Sequence, residues 1–125
     1  MKITKSFLLY QSPVIFWAIV LFIFSSIHHP PQIKLFISFD DKFKHVVVYC
    51  IFGFFIARAF YNQMRYSSLK RNLFLFTLLL GTLYGISDEF HQYFVPGRSS
   101  DILDVVADSI GTTIGFLIFH FWRKK

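Results

Sequence analysis

The fold is decided by residues 102–122, ILDVVADSIGTTIGFLIFHFW, an apolar run whose two acidic residues, Asp104 and Asp108, both lie in its first third. A helix rises about 1.5 Å per residue and needs roughly 20 apolar residues to cross the hydrocarbon of a bilayer. Three more runs meet this requirement, at residues 7–27, 43–61 and 73–95. The four runs together predict an all-α fold, a bundle of four transmembrane helices that forms one domain over residues 1–125.

The composition also indicates a membrane protein. Of the 125 residues 54% are hydrophobic and only 16% are charged, which is more apolar surface than a soluble domain of this size can bury. The net charge of +6 comes from basic residues that lie between the apolar runs, so membrane lipids are the expected anionic partner and nucleic acid is not. The single cysteine, Cys50, excludes an internal disulfide and a cysteine-rich metal site.

The charges are divided between the two sides of the predicted bundle. Lysine and arginine cluster within residues 2–5, 65–71 and 123–125, which share one side if there are four spans. Positive charge is retained in the cytoplasm, so we expect a multi-pass protein with both termini cytoplasmic. The seven acidic residues fall on or near the opposite side: Asp40, Asp41, Asp88, Glu89, Asp101, Asp104 and Asp108. In a three-span alternative, the run at 43–61 would not cross the membrane, because it carries His45 and Arg58 near its ends.

Polar residues recur at helical spacing on three of the predicted helices. The stripes are Lys42, His45, Tyr49 and Gly53; Gly81, Gly85, Asp88 and Gln92, with Glu89 at the edge; and Asp101, Asp104, Asp108, Gly111 and Gly115. Glycines four residues apart allow membrane helices to approach closely, which would draw the polar groups into one pocket. Buried carboxylates are costly in a membrane and usually functional, although a network that only locks the bundle is the alternative. Asp101 is also suited to cap the last helix.

Three motifs in this order resemble the VanZ-like family. They are Asp41-Lys42-x-x-His45-x-x-x-Tyr49, then Asp88-Glu89-x-x-Gln92-x-x-x-Pro96-Gly97-Arg98-Ser99, then Asp101-x-x-Asp104-x-x-Ala107 followed by Gly111 and Gly115. The resemblance implies a protein of the bacterial cytoplasmic membrane, in a family whose namesake is associated with resistance to the glycopeptide antibiotic teicoplanin. One departure is Asp108, which stands where the family usually has asparagine and adds a carboxylate to the pocket.

The resemblance further implies a shared polar site facing the cell envelope. Its candidates for proton transfer are His45, Glu89 and Asp104, and its candidates for substrate binding are Asp41, Lys42, Tyr49, Asp88, Gln92, Arg98 and Asp108. Arg98 and Lys42 would hold an anionic group, since a guanidinium binds phosphate or carboxylate in a bidentate manner. No cofactor is evident, but His45 and a carboxylate can share a divalent cation.

Three classes of function remain open. The first is a site that binds or processes an anionic lipid or glycan intermediate of the envelope, such as a lipid-linked precursor. The second is a small transporter unit coupled to protons or cations, in which the carboxylates form a relay. The third is a structural or partner-binding membrane module. The sequence contains no nucleophile elbow and no phosphate-binding glycine loop, so no familiar reaction can be named and enzymatic activity stays open.

Overall fold

The part of the chain that the structure describes is mostly helical. The computed structural model describes residues 4–27, 40–97 and 100–125. Helix α1 spans Ser12–Ser26 and continues a π-helical segment at Phe7–Gln11; α2 spans Asp40–Asn62, the short α3 spans Ser67–Arg71, α4 spans Leu73–Tyr93 and α5 spans Ile102–Trp122. These residues contain no strand, so the predicted all-α class is confirmed.

Within the described residues, four helical segments are long and apolar enough to cross a membrane: Phe7–Ser26, Asp41–Asn62, Leu73–Tyr93 and Ile102–Trp122. The second of them favours four spans over the three-span alternative. Large apolar side chains such as Phe16, Leu83 and Ile118 are exposed on the outside of the bundle, as expected for surfaces that face lipid. The predicted class of polytopic membrane bundle is confirmed.

The bundle is built around α2 and α5, which make its most extensive helix contact. Glycines allow this approach, because a Cβ added at Gly111 would collide with the carbonyl oxygen of Val46 and one at Gly115 with that of Cys50. Backbone cannot move aside as a flexible side chain can, so both positions require glycine. Helix α4 packs against α5 and α2, and α1 covers one edge with only Leu21 and Ser25 buried.

The two ends of the bundle differ in what fills them. At the basic end, where α2 ends and α4 begins, the interior is apolar and largely aromatic: Phe54, Ala57, Phe60, Tyr61, Leu73, Phe116 and Phe119. At the acidic end, where α1 and α4 end and α2 and α5 begin, the buried side chains are mainly polar. The functional candidates therefore have to be sought at the acidic end.

Candidate functional site

His45 lies at the centre of the polar cluster at the acidic end. Its Nδ1 is 2.6 Å from Asp108 Oδ1, and its Nε2 is 3.7 Å from Asp104 Oδ2. All three side chains are buried. The imidazole comes from α2 and both carboxylates come from α5, one turn apart, so the helical repeat holds a carboxylate beside each ring nitrogen.

Lys42, one turn before His45 on α2, neutralises the start of α5. Its ammonium contacts Asp104, lies 2.8 Å from Asp101 Oδ2 and is 3.9 Å from Asp41. Asp104 is buried whereas Asp41 is exposed, so the contact with Asp104 is the one removed from water. The structure thus occupies the ammonium of Lys42 with carboxylates of the protein itself.

Asp101 caps α5, as its position in the sequence predicts. Its side chain accepts a 2.9 Å hydrogen bond from the Leu103 N–H, and its own N–H donates to Glu89 Oε2 at 2.9 Å. The ammonium of Lys42, together with the Leu103 N–H, lowers the pKa of the Asp101 carboxyl below its usual range. The cap thereby joins α2, α4 and α5 through hydrogen bonds.

In the described part of the chain, two buried carboxylate oxygens have no hydrogen-bond partner. They are Oε1 of Glu89 and Oδ2 of Asp108, whose side chains are 5% and 0% exposed respectively. Gly85 on α4 makes room for the second, since a Cβ there would lie 2.7 Å from that oxygen. A buried acceptor without a donor costs about 1–3 kcal/mol of stability, and such groups are rare in folded proteins. These two oxygens therefore require an explanation.

Among the residues that the structure describes, two groups of side chains offer ligand atoms to a cation. One is His45, Glu89 and Asp108; the other is Asp41, His45 and Asp104; within each group one ligand atom per residue lies within 4.8 Å of the others. Both groups use His45, so they are alternatives for its ring. Only the first group is wholly buried.

A cavity of about 200 Å³ adjoins this cluster between α1, α2 and α4. Its lining is apolar on one part and polar on the other: Leu21, Phe24, Ser25, Asp41, Lys44, His45, Val48, Tyr49, Asp88 and Gln92. The hydroxyls of Ser25 and Tyr49 are buried in this lining and have no hydrogen-bond partner. Ser25 and Tyr49 therefore place two buried, unsatisfied hydroxyls next to the cavity and its apolar wall.

The predicted site residues divide between the cavity and the cluster behind it. Five of them line the cavity, namely Asp41, His45, Tyr49, Asp88 and Gln92. Lys42, Glu89, Asp104 and Asp108 are not in its lining and instead surround His45 or the α5 cap. The Gln92 amide lies 3.5 Å from Asp88, one turn earlier on α4. Arg98 lies outside the described residues.

Sequence reasoning missed the part of the cavity that α1 contributes, and it missed Lys44. Ser25 and Ser26 close the first apolar run, a feature that also fits the resemblance to the VanZ-like family, but they were not among the predicted site residues. In the structure only Ser25 lines the cavity, whereas Ser26 bonds Nε2 of His91 at 2.9 Å. Lys44 lies two residues from Lys42, off the stripe, yet reaches the cavity.

The arrangement can support two kinds of chemistry. The His45 imidazole hydrogen-bonded to a carboxylate is suited to accept or donate a proton, because the carboxylate orients the ring and stabilises its charged form. The grouped carboxylates with His45 are also suited to hold a cation. The ion pairs of Lys42 alone would serve equally well to lock α2 against α5, but they do not account for the unpartnered atoms.

Comparisons with known proteins bear on the chain as a whole. A family model described as VanZ/LLP1 matches residues 4–123. The comparisons with curated proteins and with solved structures give no match. The matched range spans all four long helices, the acidic cluster and the cavity. The chain therefore belongs to the VanZ/LLP1 family.

Proposed function

We propose that this protein binds the anionic polar group of an amphipathic envelope molecule, a lipid or a lipid-linked glycan intermediate, in the cavity at its acidic end. The ligand enters from the outer leaflet of the bacterial cytoplasmic membrane. This orientation rests on the basic residues of the opposite end, which are retained in the cytoplasm.

With Cys50 replaced, a cysteine at Ser100 should react with an impermeant thiol reagent from outside and one at Ser68 should not; the reverse pattern would contradict the orientation.

The observation that carries the proposal is the pair of unpartnered hydroxyls in the cavity. Ser25 and Tyr49 are 3% and 0% exposed, and neither hydroxyl has a hydrogen-bond partner. A buried hydroxyl without a partner costs free energy that a ligand oxygen would recover. Leu21, Phe24 and Val48 supply an apolar wall beside these donors. Such a lining suits a molecule that has a polar group attached to a hydrocarbon chain.

The cavity lining carries side chains of both charge signs: the cation Lys44 and the ionisable His45, and the carboxylates Asp41 and Asp88. Within this lining, Lys44 is proposed to contact the anionic polar group. Arg98 directly follows Pro96-Gly97 in the sequence and is proposed to complete the recognition of a phosphate as a bidentate donor. Lys42 is proposed to have a structural role instead, because its ammonium contacts Asp101 and Asp104 and so stabilises the packing of α2 against α5.

A role in proton transfer on the bound molecule is compatible with the His45 and Asp108 pair, with Glu89 and Asp104 beside it. A link to glycopeptide resistance would follow if the ligand were a precursor of the cell wall. The transporter alternative is less well supported, because the aromatic cluster around Phe119 fills the basic end below the carboxylates. The alternative of a purely structural module does not explain why the Ser25 and Tyr49 hydroxyls are buried without hydrogen-bond partners.

The test compares Ser25→Ala with Ser26→Ala in protein purified with its own membrane lipids. The two serines are neighbours on α1, but only Ser25 lines the cavity. Native mass spectrometry should detect a bound phosphate-bearing lipid in the wild type and in Ser26→Ala, and several-fold lower occupancy in Ser25→Ala. Equal occupancy in all three proteins, or no bound lipid in any, would reject the proposal.

A further inference from the structure

We infer that His45, Glu89 and Asp108 form a binding site for one divalent transition-metal ion, with Zn²⁺ as the best match. The inference rests on the proposed function and deepens it, because it specifies what holds the anionic group inside the protein. One side chain comes from each of α2, α4 and α5. An ion there would connect the three helices that build the acidic end.

The potential ligand atoms of His45, Glu89 and Asp108 lie close enough together to coordinate one metal ion. One ligand atom from each residue lies within 4.8 Å of the other two. Zinc binds nitrogen and oxygen ligands at about 2.0–2.2 Å, so the ligand atoms around one zinc ion are roughly 3–4 Å from one another. Side-chain movements that shift the ligand atoms by about 1 Å would complete this geometry. One imidazole with two carboxylates suits zinc or manganese better than magnesium or calcium, which prefer oxygen ligands alone.

The second, independent observation is that two of the three ligands carry a bare buried oxygen. Glu89 Oε1 and Asp108 Oδ2 have no hydrogen-bond partner although both residues are buried. Their other oxygens are engaged, by the Asp101 N–H and by His45. A cation coordinated through these two oxygens would satisfy both acceptors, and it would offset the repulsion between the two carboxylates.

The alternative group of Asp41, His45 and Asp104 is less suitable. Lys42 already contacts Asp104, and its ammonium would repel a second cation bound there. Asp41 is also exposed, so its carboxylate is already solvated and gains less from coordination. The wholly buried group suffers from neither disadvantage.

Three protein ligands leave at least one coordination position of a zinc ion open. His45 belongs to both the ligand group and the cavity lining, so the open position would lie near the cavity. A phosphate oxygen of the bound molecule can fill that position. The site would thus attract an anion through an ion of opposite charge, in spite of the many carboxylates around it.

The experiment measures Zn²⁺ itself on the full-length protein. Wild type is purified in a mild detergent, stripped with a chelator, reloaded with Zn²⁺ and measured by elemental analysis and titration calorimetry. We expect one Zn²⁺ per chain. His45→Gln, Glu89→Gln and Asp108→Asn should each weaken the affinity about tenfold or more, a minimum set by the effect of losing even an outer-shell partner. Asp41→Asn, the matched control at the same end, should retain full affinity.

X-ray absorption on the loaded wild type guards against variants that fail to fold. It should show a nitrogen and oxygen shell that includes one imidazole. Absence of stoichiometric Zn²⁺ in the wild type, a shell without imidazole, or loss of binding in Asp41→Asn with retention in Glu89→Gln would each overturn the inference.

Native mass spectra of the same samples separate the two proposals. Wild type that retains its lipid but binds no Zn²⁺ would overturn the metal site and leave the proposed function standing. Wild type that binds Zn²⁺ and carries no lipid would support the metal site and reject the lipid-binding function.

Discussion

The two ends of the bundle hold their charges in different ways. At the acidic end Asp104 and Asp108 are buried, and each contacts a cationic or ionisable group on another helix. At the basic end Lys70 and Arg123 lie 4.5 and 4.6 Å from the centroid of the Tyr61 ring, at the exposed surface. A surface cation needs only its sign, whereas a buried charge needs a partner at a defined position. The exact position of a charged side chain should therefore affect stability strongly at the acidic end and only weakly at the basic end.

Removal of one lysine from each end should reveal the largest contrast. Lys42→Met leaves Asp104 buried without its cation, and breaking a buried ion pair costs on the order of 3 kcal/mol. Lys70→Met removes an exposed cation from a tyrosine ring, which is worth about 0.5–1 kcal/mol. Thermal unfolding in detergent, followed by intrinsic fluorescence, should show a much larger drop in Tm for Lys42→Met. Equal drops would contradict the difference between the ends.

Two tyrosines near the cavity should separate ligand binding from stability. The Tyr84 hydroxyl donates to the Ala18 carbonyl, so Tyr84→Phe should lower stability by about 1 kcal/mol and leave lipid retention unchanged. The Tyr49 hydroxyl has no partner, so Tyr49→Phe should leave stability unchanged or slightly raised and should reduce lipid retention. Unfolding curves and native mass spectra of both variants test this. If Tyr49→Phe lost stability and kept its lipid, the hydroxyl would have a structural role only.

Much of the fold could be predicted from the sequence, because run length and composition decide whether a helix can span a membrane. The all-α class and the family were predicted and are confirmed. The helical period also placed Lys42, His45, Asp104 and Asp108 on faces that meet in the structure. The role of these residues in binding remains a prediction.

The contribution of α1 could not be predicted for a physical reason. The run at 7–27 is apolar on every side, so its periodicity does not indicate which face meets the bundle. The faces are set by tertiary contacts such as the 2.9 Å hydrogen bond from Trp17 Nε1 to the Val48 carbonyl. The pairing of Lys42 with Asp101 and Asp104 was equally hidden, because these two partners lie 59 and 62 residues away in sequence.

The smallest expected effect is a pH dependence that comes from Asp101. Lys42 lowers the pKa of this carboxyl in the folded protein. Its stabilisation is therefore complete above the ordinary aspartate pKa of about 4 and is lost as the pH falls through the lower folded value. The Tm difference between wild type and Asp101→Asn should shrink as the pH is reduced from 6 to 3. A difference that stayed constant or grew would show that Asp101 acts only as a neutral cap.

The proposed binding at the acidic end is tested most directly by photo-crosslinking from both ends in native membranes. Benzoylphenylalanine would replace Phe24, which lines the cavity at the acidic end, or Phe74, which lies beside Lys70 and Arg71 in a surface depression at the basic end. We expect the probe at position 24 to capture one class of phosphate-bearing lipid far above its share of the membrane, and the probe at position 74 to capture lipids in proportion to their abundance. The same bulk lipids captured in the same proportions at both positions would contradict this expectation.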